Sequence, residues 1–454
     1  MGCGFSRVCG SILFHEDDTD DLGKTTSPIR ERRRTFFRSN SFKSGVLIKP
    51  STGSCEVPLH RQEVDVDDSD DGEPVVVVDD VDDRSVREPH VYVGGGIPGV
   101  AVDEFTIEQP KYTGHVVGGC HSVSRSIWWG ARTRAGNDSM GRRKENQDSF
   151  CIRDRFANCD GLTFMCVLDG HGAQGAYVSH FVRDHYHVHV AAALRRHIPS
   201  LPPPPSSSPG DDVHHPESVD FNMFTLDTIE DVFLDASCRM TAALKDEMHL
   251  DISVSGTTAI ALLFVTSGHA QPKVFVANVG DSRAVAGVVA SSCSASNSSP
   301  TTFSTVHLST DHKPNDPHEE ARIVAANGRV FEYGVPRVWL QDVDMPGLAM
   351  SRSFGDSVAT SVGVISDPQC SELLLTPGSF VIAASDGLWE FSPSTDVVAM
   401  CAKGVPYEDP QTTCDLLVAE ALERWLDEQD VVDDITVVVV VVRGDDDRRQ
   451  EEQL

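Results

Sequence analysis

Two rhythms of apolar and polar positions run along this chain, and both begin near Trp128. Short apolar or β-branched runs at 149–152, 162–168, 257–264, 273–278, 284–289, 380–384 and 435–442 predict strands. The six consecutive valines at 437–442 predict a central strand covered on both faces. Helical spacing predicts helices at 174–197, 226–248, 317–327, 394–401 and 410–428. Many short strands with two groups of helices fit an α+β fold, two packed antiparallel sheets with helices on both outer faces. No repeat period interrupts this order.

Before about residue 120 the periodicity is absent. That segment is expected to be a mostly disordered tail, followed by a folded domain over 121–443 and an acidic tail over 444–454. Within the tail, 30–43 carries six Arg or Lys against Glu31, whereas 63–88 carries 12 acidic and 2 basic side chains. Stretches near 200–217 and 291–304, rich in Pro and Ser or in Ser alone, are expected to be surface-loop insertions.

Length and charge narrow the function. A chain of 454 residues with 40% hydrophobic side chains can bury a large core, while a formal charge of -31 argues against a nucleic-acid partner. Twelve cysteines without CxxC pairs point to reduced thiols, and no apolar run is long enough to span a bilayer. No signal-peptide core is present, so the expected location is cytoplasmic, with the nucleus open.

The chemistry gathers at acidic strand ends. Asp169-Gly170-His171-Gly172 follows the apolar run 164–168, and four similar segments stand at Asn146-Gln147-Asp148, Gly280-Asp281-Ser282-Arg283, Ser385-Asp386-Gly387 and Asp433-Asp434. Each aspartate alone could be an ordinary turn or cap. Collected together they would repel, and oxygen-only donors favour magnesium or manganese. Two such ions can orient a water, lower its pKa and clamp phosphate oxygens. No cysteine–histidine spacing suits zinc.

These segments resemble the metal-dependent type 2C serine/threonine protein phosphatases, most closely the plant-type branch, over about 128–443. The motifs carrying the resemblance are Glu145-Asn146-Gln147-Asp148, Val167-Leu168-Asp169-Gly170-His171-Gly172, Ser255-Gly256-Thr257-Thr258, Asn278-Val279-Gly280-Asp281-Ser282-Arg283, Arg337-Val338-Trp339-Leu340, Pro346-Gly347-Leu348-Ala349-Met350-Ser351-Arg352-Ser353-Phe354-Gly355-Asp356, Ala384-Ser385-Asp386-Gly387-Leu388-Trp389 and Asp433-Asp434-Ile435-Thr436. The resemblance implies an α-β-β-α sandwich that hydrolyses phosphoserine and phosphothreonine in phosphoproteins through a water activated by two magnesium or manganese ions. It implies Asp169 bridging the ions, the Gly170 carbonyl on the second, and Asp386 with Asp433 on the first. Gln147 would reach the second ion through water, and Asp281 with Asp386 would hold a weaker third. His171 would protonate the leaving oxygen, Arg143 would hold the phosphate, and Asp148 and Asp356 would support the site. Three positions depart from the usual pattern: Gln147 for the Glu of animal members, Glu390 for a frequent Asp, and Asp434 for the usual Asn. A binding module lacking turnover, a membrane-tethered pseudophosphatase, is the alternative.

Three further features complete the expectations. Met1-Gly2-Cys3-Gly4-Phe5-Ser6 fits N-myristoylation at Gly2 with palmitoylation at Cys3. With the basic run 30–43, this would place an otherwise monomeric enzyme on the cytosolic face of the plasma membrane. His180, His185, His187 and His189 share a predicted helix but not one face of it, which fits packing better than metal. Residues 333–346 are either a flap that selects substrate or a plain loop.

Overall fold

Alternation within the strands builds four layers. The computed structural model describes residues 116–119, 127–203, 219–266, 271–289, 302–404 and 409–443. All of them lie in one compact unit, His90–Leu454. One sheet has six strands, in the order Val116–Gly119, Ile127–Arg134, Ile435–Val442, Phe380–Ala384, Arg283–Val289 and Phe303–His307. The other has five, in the order Gln369–Leu374, Lys273–Val279, Ala259–Val265, Leu162–Leu168 and Ser149–Arg153. Every pairing within these two sheets is antiparallel.

Successive side chains point to opposite faces of a strand, so each apolar run serves two cores. Met165, Val167, Ile260 and Leu262 meet Ala131, Val381, Val438 and Val440 between the sheets. Phe164, Cys166, Leu168 and Leu263 instead pack against helices Gly175–His197 and Leu226–Asp246. Val437, Val439 and Val441, with Ile382, face helices Ser394–Gly404 and Pro410–Glu428. The valine run is thus apolar throughout because neither face meets water.

The helices start where capping chemistry allows. The Thr225 side chain accepts the N–H of Thr228 ahead of Leu226–Asp246, and Asp316 accepts from His318 and Glu319 at the start of Pro317–Ala325. Ile229, Val232, Phe233, Ala236 and Met240 recur at helical spacing and are buried. Truncating Phe233 to Ala would remove a fully buried ring at a cost of about 3–5 kcal/mol.

The structure moves several expected boundaries. Run 257–264 divides at Thr258 into a two-residue strand, Gly256–Thr257, and Ala259–Val265 in the main sheet. Strand Val116–Gly119 stands ahead of the domain start expected at residue 121, because four residues are too few to show a period. Strand Phe303–His307 takes the end of the stretch 291–304 expected to be loop. Residues 333–346 are no plain loop. They belong to a separate antiparallel sheet of Gly328–Tyr333, Val335–Leu340 and Pro346–Leu348, in which Phe331 stacks on Trp339. Ile323, Val338, Leu348 and Val362 form a small core beneath it. Most of 200–217, and all of 444–454, lie outside the described residues.

Candidate active site

The register places the acidic segments at one end of the sandwich. Ser149 pairs with Leu168, setting Asp148 beside Asp169; Ala384 pairs with both Val437 and Arg283. The turn at Asp169 admits no side chain at residue 170. A Cβ on Gly170 would run into the carbonyls of Gln147 and Gly175.

Asp169 lies within the field of Asp148, Asp386 and Asp433. Burial pushes the Asp169 carboxyl well up, and repulsion from Asp386, Asp148, Asp433 and Asp281 adds to it. Asp386 is pushed up to about 7, first by burial and then by Asp281 and Asp433, although a hydrogen bond shared with Asp169 offsets part of this. Asp148 is likewise held well up by burial and by Asp434; Ser385 Oγ donates to its Oδ2 at 2.7 Å while Oδ1 is buried without a partner. A set of acids driven toward protonation lacks positive charge.

Part of that charge comes from two lysines. Lys144 Nζ donates to Asp433 Oδ1 at 2.9 Å, and Lys313 Nζ donates to Asp281 Oδ2 at 2.6 Å. Among the described residues no three His, Cys, Asp or Glu side chains form a group that could enclose an ion by themselves. Magnesium and manganese tolerate such an open arrangement, since magnesium in particular keeps several waters and takes one or two carboxylates. The donors therefore fit hard cations, through Asp169, the Gly170 carbonyl, Asp386 and Asp433.

The supporting residues are locked individually. Gly136 N–H and Gln147 N–H donate to the two oxygens of Asp434 at 2.6 and 2.8 Å, so Asp434 staples the segment leading to Asp148. Gln147 Nε2 donates to the Gly172 carbonyl at 2.8 Å, clamping the turn that carries His171. His171 Nε2 lies 2.7 Å from Asp356 Oδ2, which also accepts Ser353 Oγ at 2.6 Å. Burial by itself would lower the His171 pKa, but the charge and hydrogen bond of Asp356 raise it overall. His171 Nδ1 is buried without a partner. Arg143 is exposed and has no ion-pair or hydrogen-bond partner among the described residues. It stands in the field of Arg134, which also feels Asp434, on the Asp433–Asp434 side of the cluster.

The helix histidines serve packing. His187 Nδ1 and His185 Nδ1 lie 3.1 and 2.8 Å from the carbonyls of Arg183 and Phe181. Burial pushes His187 well down and His189 down to about 4. Glu390 is exposed and within the field of Arg283. Gly2 and Cys3 lie outside the described residues. Lys144 and Lys313 are the side chains at the acid cluster that periodicity did not reveal. Their partners are 289 and 32 residues away, and neither lysine ends a strand.

The protein phosphatase 2C family model matches residues 133–428. This chain belongs to that family. It is 32% identical over 317 residues to probable protein phosphatase 2C 35 of Arabidopsis thaliana, covering 65% of this chain and 78% of that one. It is 31% identical over 290 residues to probable protein phosphatase 2C 73 of the same plant, covering 63% and 72%. In fold it resembles a serine-threonine phosphatase 2C from Toxoplasma gondii, with TM-score 0.55 and 21% identity over 74% of this chain and 99% of that one. The chain is a metal-dependent serine/threonine protein phosphatase of plant type, acting on phosphoproteins, and the binding-only alternative finds no support.

Proposed function

We propose that this phosphatase works with two magnesium or manganese ions between Asp169, the Gly170 carbonyl, Asp386 and Asp433. The observation that carries this reading is the convergence of acids at one end of the sheets, with Asp386 pushed up to about 7 even though Lys144 and Lys313 each pair with one of them. When bound, the ions supply positive charge that lowers the pKa of a water and neutralises phosphate oxygens. Arg143 takes two oxygens of the substrate phosphate, as an unpaired guanidinium fork can. His171, its Nε2 held by Asp356, supplies the proton for the departing serine or threonine oxygen. Gln147 and Asp434 keep the turns in register and touch no substrate.

The test is hydrolysis of a phosphothreonine peptide by the full chain with and without manganese, beside Asp169→Ala. Turnover should require the metal and fall by at least about a thousandfold in the variant, because general acid and phosphate binding remain but the acid cluster is broken. Metal-independent turnover would refute the reading. Attachment to the plasma membrane through Gly2 and Cys3 is proposed on the N-terminal motif and the basic run 30–43. Imaging Gly2→Ala beside the parent tests it, and unchanged membrane distribution would overturn it.

A further inference from the structure

The ion pair at the end of strand Lys273–Val279 differs from an ordinary surface salt bridge in how both partners are held. His312 N–H donates to the Gly280 carbonyl at 3.0 Å, and Gly280 N–H donates to His312 Nδ1 at 3.1 Å. Asp281 and Lys313 each follow one member of that doubly bonded pair. Gly280 takes φ +109, and a Cβ there would meet Thr258 Cγ2 at 2.6 Å, so the turn that aims Asp281 has one shape. Lys313 Nζ reaches Asp281 Oδ2 at 2.6 Å. Asp281 is 2% exposed, and its Oδ1 is buried without a partner.

We propose that Lys313 is a tethered cation for Asp281, so that this end of the acid cluster is neutralised by an ammonium in place of a further divalent ion. The proposal rests on the two-ion reading above. A divalent ion on Asp281 would sit a few ångströms from the ammonium and be repelled by it; Asp281 itself is buried, while the Lys313 side chain, 40% exposed, keeps part of the screening by water. The ammonium also has the advantage of attachment: a group on a short tether is present at an effective concentration of about millimolar or more. Of the further carboxylates at this end, Asp386 belongs to the two-ion site, Asp311 accepts from Arg283, and Glu390 is exposed and within the field of Arg283, so they offer an incoming ion little additional compensation. At the opposite end Lys144 holds Asp433 differently. The Asp433 side chain is 47% exposed and keeps water on it, so Lys144 and an ion can share that carboxylate.

The experiment counts Mn²⁺ bound to the full chain, by electron paramagnetic resonance of free ion and by calorimetric titration, in the parent, Lys313→Gln and Lys313→Arg. The parent and Lys313→Arg should saturate at the same number. Lys313→Gln should take one ion more, with a dissociation constant at least about tenfold below any such step in the parent. Equal counts in the parent and Lys313→Gln would overturn the proposal and leave the two-ion reading standing. Absence of bound Mn²⁺ from the parent would overturn both. Asp281→Asn gives a second test that does not depend on how well Lys313→Gln folds. Its Mn²⁺ count should equal the parent's, and a count lower by one would show an ion, not the ammonium, on Asp281.

Discussion

Removing metal should make the folded domain less stable as pH rises, and Asp386 sets the size of the effect. Its carboxyl stands near 7 in the folded metal-free protein against 3.8 in the unfolded chain. A carboxyl raised by folding contributes stability that is present below pH 3.8 and is lost as pH climbs through about 7. At about 1.4 kcal/mol per pH unit the ceiling is about 4 kcal/mol, and the partial exposure of Asp386 reduces this to about 2 kcal/mol. His187 and His189, pushed down by burial, act with the opposite sign below the ordinary histidine range, so a bare stability curve mixes the two. Asp386→Asn separates them, because the amide resembles the protonated acid at every pH. With EDTA present, parent and variant should melt alike at about pH 3.5, below the ordinary aspartate value. At pH 8 the variant should melt higher, by roughly 3 °C for a domain of this size. Manganese at pH 8 should reverse the order, since only the parent retains the charge. A gap that does not change with pH in EDTA, or a variant no more stable than the parent at pH 8, would refute the reasoning.

Other consequences follow from particular contacts. Asp356→Asn removes the charge that raises His171, so turnover should fall about ten- to a hundredfold with KM little changed, and the alkaline limb of the pH profile should move down; an unmoved limb would show another proton donor. Gly170→Ala drives a methyl into the carbonyls of Gln147 and Gly175, and should abolish metal-dependent turnover while circular dichroism stays native; activity within tenfold of the parent would contradict the fit at that turn. Glu319 is 4% exposed and accepts from Arg322, Arg352 and Ser351. Burial alone would raise its carboxyl, yet those donors hold it well below the usual range, so Glu319→Gln should cost about 2–4 kcal/mol in urea unfolding at pH 7. A loss under 0.5 kcal/mol would show that the arginines are satisfied elsewhere.

Local composition determined much of this protein. Valines 437–442, the run ending at Leu168 and the helix from Leu226 carry their period in adjacent residues, so their burial could be read before any partner was known. The convergence of Asp169, Asp386 and Asp433 was legible as well, because each acid stands within two residues of an apolar strand that delivers it to the same end of the sheets. The sheet at 328–348 was not legible, since its strands are mostly half-exposed and no clean alternation marks them. Only the tertiary structure decided how the acids are balanced. Lys144 with Asp433, Lys313 with Asp281, and Asp356 with His171 are 289, 32 and 185 residues apart. A charge pair leaves no period in the sequence: its strength depends on a distance of a few ångströms and on the exclusion of water, and the packing of the two sheets supplies both.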